Sequence, residues 1–228
     1  MINEAIFSVA TLSILTFNTY LGIPPDLSSV QAPTIKEQVL ATHEISLEKR
    51  YNNQNVNGVF KDNILLTMAY LRGEKIDPNN IDWNVIEKPF SYSFIIKPDK
   101  TFAFHNDVLP EFQEKVIKTT NAHFNSQDGF KSDGYLTGDG VCHLASLINW
   151  AATDAKLSVV APTNHNFAVI PEIPEKYGTS IYMMPNDSSE NAKQNLYITN
   201  NFDKPIIFVF YYDENILKLS VAIIEPSY

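Results

Sequence analysis

The chain has 228 residues and a net charge of −9, and its 17 basic residues are scattered without a cluster. That balance argues against nucleic acid and anionic membrane surfaces as partners, and an apolar fraction of 44% argues against disorder over most of the length. A single cysteine cannot close an internal disulfide.

From Ala5 to Pro25 no residue is charged, and Ile6 to Leu15 form an apolar run of the kind found in an export signal or a short anchor. Glu4 stands where such a signal carries Lys or Arg, which leaves a buried N-terminal helix as the alternative. On this reading residues 1–23 are a signal peptide or anchor and 24–34 a proline-bearing linker. An N-terminal helical preamble follows over 35–89, and the main domain occupies 90–228. An extracellular, periplasmic or envelope location is the corresponding expectation, with membrane contact only through the N-terminal segment if it is uncleaved.

Ile35 to Tyr51 suits either a strand or a short helix. Apolar positions 60, 64, 65, 68 and 71 mark an amphipathic helix that Gly73 stops. Phe90 to Ile96 alternates as a strand, and Lys97-Pro98-Asp99-Lys100 turns into a second strand, Thr101 to Phe104. Val108 to Thr120 reads as a helix after Pro110, and Asn121 to Asp133 as a polar loop. Leu144, Leu147, Ile148, Ala151 and Ala155 recur at helical spacing, with Gly138, Asp139 and Gly140 forming the turn that opens the helix and Asp139 expected to cap it. Leu157–Val160 and His165–Ile170 read as strands. Three further strands near 195–199, 206–212 and 217–223 are expected to form an antiparallel meander. The fold class is therefore α+β, an antiparallel sheet carrying a helix packed on it.

Cys142 falls in the first turn of that helix, where free N–H groups and the helix dipole favour a thiolate. The alternative is a small buried hydrophobe, the common state of a free cysteine. His165 follows by a helix, a turn and a strand, so the pair could form an activated thiol, with backbone N–H groups near Val141 and His143 as the oxyanion site. A third group would orient the imidazole; Asp187 is the leading candidate, with Asn186 and Asn195 behind it. Asn164 and Asn166 flank His165 and belong to its surroundings. Adjacent Cys142 and His143 diverge by roughly a hundred degrees on a helix, which disfavours a shared zinc site. His105 and His123 read as surface or supporting residues. No phosphate-loop or dinucleotide pattern occurs, because Gly138-Asp139-Gly140 lacks the third glycine and the basic residue, and no cofactor or metal is expected.

The stretch Gly138-Asp139-Gly140-Val141-Cys142 resembles the signature of the VanW-like family, in which a Gly-x-Gly-[Val or Ile]-Cys-Gln segment opens a helix. His165 matches that family's histidine. Leu196-Tyr197-Ile198-Thr199-Asn200-Asn201 is similar to its C-terminal ladder, and Ile96 to Phe104 to its Pro-Gly-x-x-Phe-Ser-Phe turn and strand. The likeness covers about residues 90–224. His143 replaces the family's Gln, and its later Asp falls at Gly178 when Thr179-Ser180-Ile181 is aligned to it. The resemblance implies an exported bacterial envelope protein with a role at peptidoglycan, its partner a cell-wall polymer or peptide. The order of a helix-borne Cys and a strand-borne His is also similar to transglutaminase-like and papain-like cores, an analogy of fold alone. Two functions follow as expectations: a Cys/His hydrolase or acyl transferase acting on amide or ester bonds, or a non-catalytic polymer-binding module whose cysteine is structural.

Overall fold

A computed structural model describes residues 35–134 and 137–226, so the apolar run and linker expected over 1–34 lie outside the described residues. Strands β1 (Ile35–Ser46), β2 (Phe90–Ile96), β7 (Ile206–Asp213) and β8 (Ile216–Pro226) form an antiparallel sheet in the order β1-β8-β7-β2. Four short strands, β3 (Thr101–Ala103), β4 (Val116–Lys118), β5 (Ser158–Val160) and β6 (Tyr197–Thr199), form a second sheet in the order β4-β3-β6-β5. Its β3–β4 pair is parallel, which makes this sheet mixed.

Alternation along β7 sends Ile206, Phe208, Phe210 and Tyr212 inward. Phe94 on β2 stacks on Phe208 at 5.1 Å and on Phe102 of β3 at 5.2 Å, so one ring ties the two sheets together. Helix α1 (Gln54–Arg72) begins at Asn53, whose side chain accepts from the Asn55 and Val56 N–H groups, and ends at Gly73 with φ 77°. Helix α3 (Val141–Asp154) touches β1 and β8 of one sheet, β5 of the other, and α1. It is accordingly apolar on most of its circumference, with Leu144, Ala145, Leu147, Ile148 and Ala151 fully buried. Two single-turn helices, α2 (Trp83–Ile86) and α4 (Ser188–Asn191), complete the four α-helices among the described residues. Among the described residues no helix is long and apolar enough to cross a membrane.

Several expectations change. The 35–89 stretch is not a helical preamble: of the two readings of Ile35 to Tyr51 the strand holds, over Ile35–Ser46, and β1 and α1 share the core of a single unit, Thr34–Tyr228. β2 and β3 do not make a hairpin: β2 pairs with β7 and β3 with β6, a choice between distant partners that a local turn signal cannot encode. For the same reason the expected three-strand meander divides, with β6 in one sheet and the β7–β8 hairpin in the other. Val108–Thr120 is one 3-10 turn, Pro110–Phe112, followed by β4, because Val116 and Lys118 find ladder partners on β3. His165–Ile170 is a loop.

Candidate functional site

The start of α3 is built by its neighbours. Asn63, fully buried on α1, donates to the carbonyls of Lys131 and Asp139 at 3.0 and 2.9 Å and accepts from the Lys131 N–H at 2.8 Å. One amide thus holds both ends of the loop that feeds the helix. Gly138 and Gly140 have φ of 88° and 97°, and a Cβ on Gly140 would lie 2.5 Å from the Phe60 carbonyl oxygen. The Gly-x-Gly pattern is therefore a demand for two left-handed residues against packed backbone. Gly140 itself is the N-cap and no side chain caps the helix. Asp139, expected as the cap, is instead half-buried beside Asp133; burial first and Asp133 second push its carboxyl up to about 6.

Cys142 is not primed as a thiolate. Its sulfur accepts from the Ile181 N–H at 3.3 Å and donates to the Ile181 carbonyl at 3.5 Å, so the side chain imitates a strand partner for one residue. Burial pushes its pKa up to about 11, and Asp139 adds in the same direction against the backbone hydrogen bonds. The helix dipole invoked from sequence loses to desolvation. One turn on, Ser146 donates to the Cys142 carbonyl at 2.7 Å and accepts from the Thr179 N–H at 2.9 Å. Asn149 then donates to the Tyr177 carbonyl at 3.1 Å and to the Thr179 hydroxyl at 3.0 Å. Cys142, Ser146 and Asn149 form a polar stripe that clasps the segment Tyr177–Ile181. A polar stripe at i, i+4, i+7 on an otherwise apolar helix is the sequence signal that reading Cys142 alone overlooks.

His143 points to a different side of α3. Its ring lies 5.0 Å from Phe60 and 6.3 Å from His165, and its Nδ1 is buried without a partner among the described residues. Burial, with Arg50 and His165 nearby, lowers its pKa to about 3, so it is neutral. His165 lies in the loop after β5, buried beneath an exposed Phe167 whose ring is 4.0 Å away. Its Nδ1 is 3.2 Å from the Ala168 carbonyl, an acceptor only, so the proton sits on Nδ1. No hydrogen bond among the described residues joins His165 to Cys142; each is committed to a different backbone carbonyl. The loop is anchored from below by Arg50, fully buried, which pairs with Glu172 and donates to the carbonyls of Ser46 and Pro171. Asn164 and Asn166 are exposed on this loop.

Asp187 lies elsewhere. It caps α4, accepting from the Glu190 N–H at 3.2 Å, and together with Asn186 it borders an open cleft of about 720 Å³. Asp107, His123, Asn125 and Asp128 face the same cleft, with Met183 and Met184 on one wall. Beneath it Asn191 donates to the Asp107 carboxylate at 2.7 Å, and Asn195 donates to the Asp107 and His105 carbonyls at 2.8 and 3.2 Å. Asn195, expected near His165, is thus fully buried under the cleft. His105 donates from Nε2 to the Gln194 carbonyl at 3.0 Å, and burial lowers its pKa to about 4. A second hollow of about 440 Å³ shares Asn106, Asp107 and Ser188 and continues the cleft toward Pro110 and Lys193. The fixed carboxylates and amides can hydrogen-bond a polar chain, and no group of three or more metal-ligating side chains occurs among the described residues.

These features define an α+β domain in which the segment clasped by α3 leads into the Met183–Asp187 wall of an open groove. The family model described as VanW like protein matches residues 91–222, more than half of the chain, and the chain belongs to the VanW-like family. No curated protein and no solved structure matches it.

Proposed function

We propose that the domain is a binding module for a cell-envelope polymer, and that Cys142 is a structural residue within it. The carrying observation is the groove of about 720 Å³ whose hydrogen-bonding groups are set in place before any ligand arrives. Asp107 is held by Asn191, and its backbone by Asn195, so little side-chain entropy remains to be lost on binding. The groove is open, and the adjoining hollow of about 440 Å³ continues it, which suits a strand of glycan or peptide more than a compact metabolite. Membership of the VanW-like family and the uncharged N-terminal stretch from Ala5 to Pro25 support export and a partner at the cell wall.

The thiol hydrolase or acyl transferase reading uses the same domain with Cys142 as nucleophile and His165 as base. What weighs against it is the engagement of the two side chains with Ile181 and Ala168 and the raised thiol pKa. Co-sedimentation with purified peptidoglycan sacculi distinguishes the two. His123→Ala combined with Gln127→Ala, both exposed at the groove, is expected to abolish pelleting while the fold is retained. Cys142→Ala is expected to keep it. Release of soluble fragments from sacculi by the parent protein, lost in Cys142→Ala and kept in the groove variant, would overturn the binding-module reading.

A further inference from the structure

We infer that the loop from Asn164 to Lys176 is a second binding site, one that takes a single pyranose ring of a saccharide. The site is separate from the groove and stands on its own observations. Phe167 is 72% exposed and Val169, two residues on, 90% exposed, so the loop presents more than one apolar group to water. The Phe167 ring rests on His165 at 4.0 Å, which fixes its orientation. His165, on which that ring rests, and Ala168, the residue after Phe167 in the chain, line a hollow of about 150 Å³ walled mainly by apolar groups, among them Val169, Ile170 and Ile173. Beside the hollow an open shelf of about 340 Å³ is lined by Asn164, Asn166, Glu175 and Lys176, and Glu175 borders both.

A pyranose has that same division of chemistry, an apolar C–H face bordered by a ring of hydroxyl groups. The face would cover Phe167, as apolar faces cover aromatic platforms, and the hydroxyls would meet a shelf that offers amide donors, amide acceptors, a carboxylate and an ammonium. His165 borders the hollow with its Nδ1–H given to the Ala168 carbonyl, which holds the ring under Phe167 in one orientation. Arg50 and Glu172 hold the loop from beneath, so the site does not have to be assembled by the ligand.

The test is a titration of the full chain followed by amide chemical shifts in NMR, with cellotriose as the probe and sorbitol as a control that has hydroxyl groups but no ring face. Cellotriose is expected to shift the amides of 164–169 and 175–178 with Kd on the order of 1 mM, and sorbitol to leave them in place. Phe167→Ala, at an exposed position that leaves the core untouched, is expected to weaken binding about tenfold or more, and Asn166→Ala to weaken it less. Three results would overturn the inference: shifts confined to the groove residues, equal response to sorbitol, or undiminished affinity in Phe167→Ala. None of them counts against sedimentation through the groove, so the two readings fail separately.

Discussion

Replacing Cys142 with alanine separates a structural sulfur from a catalytic one. The substitution removes both hydrogen bonds to Ile181, leaving its buried N–H without a partner, and deletes one partly buried heavy atom. An orphaned buried donor costs about 1–3 kcal/mol and a lost methylene-sized group at most about 0.8 kcal/mol, so the expected loss is about 2–4 kcal/mol. For a domain of this size that lowers Tm by roughly 4–16 °C. Cys142→Ser, which keeps a donor and an acceptor, is expected to lose less. Denaturant unfolding of the three proteins gives the stabilities, and native-state alkylation of the parent gives the thiol's reactivity. With the pKa pushed from 9.0 to about 11, the thiolate fraction at pH 8 is roughly a hundredfold below that of an ordinary thiol, so native alkylation should be far slower than alkylation in urea. The sign is that of a raised acid: its stabilising contribution is complete below pH 9 and is lost as pH rises toward 11. Cys142→Ala as stable as the parent, together with alkylation faster in the native state than in urea, would refute the argument.

Ser146→Ala leaves the Thr179 N–H buried and unpaired, and is expected to cost about 1–3 kcal/mol in denaturant unfolding. Gly140→Ala must accept φ of 97° and move the Phe60 backbone, and a loss of about 3 kcal/mol or failure to fold is expected; a change under about 0.5 kcal/mol would contradict the turn described. His105 and His143 are depressed to about 4 and about 3, so both bind protons less readily folded than unfolded. Their stabilising contribution is complete above pH 6.5 and is lost as pH falls toward 4 and then 3, and Tm should drop steeply over that interval. His143→Phe removes one of the two groups and its unpartnered nitrogen, so it should flatten the acid limb; an unchanged limb would show that His143 is not responsible.

Where backbone demands are local, the residues themselves state them. Alternation in Phe90–Ile96 and in Ile206–Tyr212, the apolar spacing ahead of Gly73, and Gly138 and Gly140 before a helical repeat each depend only on neighbours in the chain. The family signature is legible for the same reason, since two left-handed glycines and the helix after them are a contiguous requirement. The position of Cys142 in the first turn of α3 follows directly from it.

Tertiary structure decided what surrounds those elements. The preference of a thiol at a helix start for negative charge was overridden by burial against Ile181, a residue 39 positions away. His165 lies in a loop because Ala168 and Arg50 hold the chain there, Asp187 borders the groove because it caps α4, and Asn195 is buried beneath the groove because it bonds the Asp107 backbone. Partner choice among strands was likewise non-local: β2 left its sequence neighbour β3 for β7 across more than a hundred residues. A periodic pattern reports which face of an element is buried, whereas desolvation and strand pairing depend on what covers that face, and only the folded chain supplies the cover.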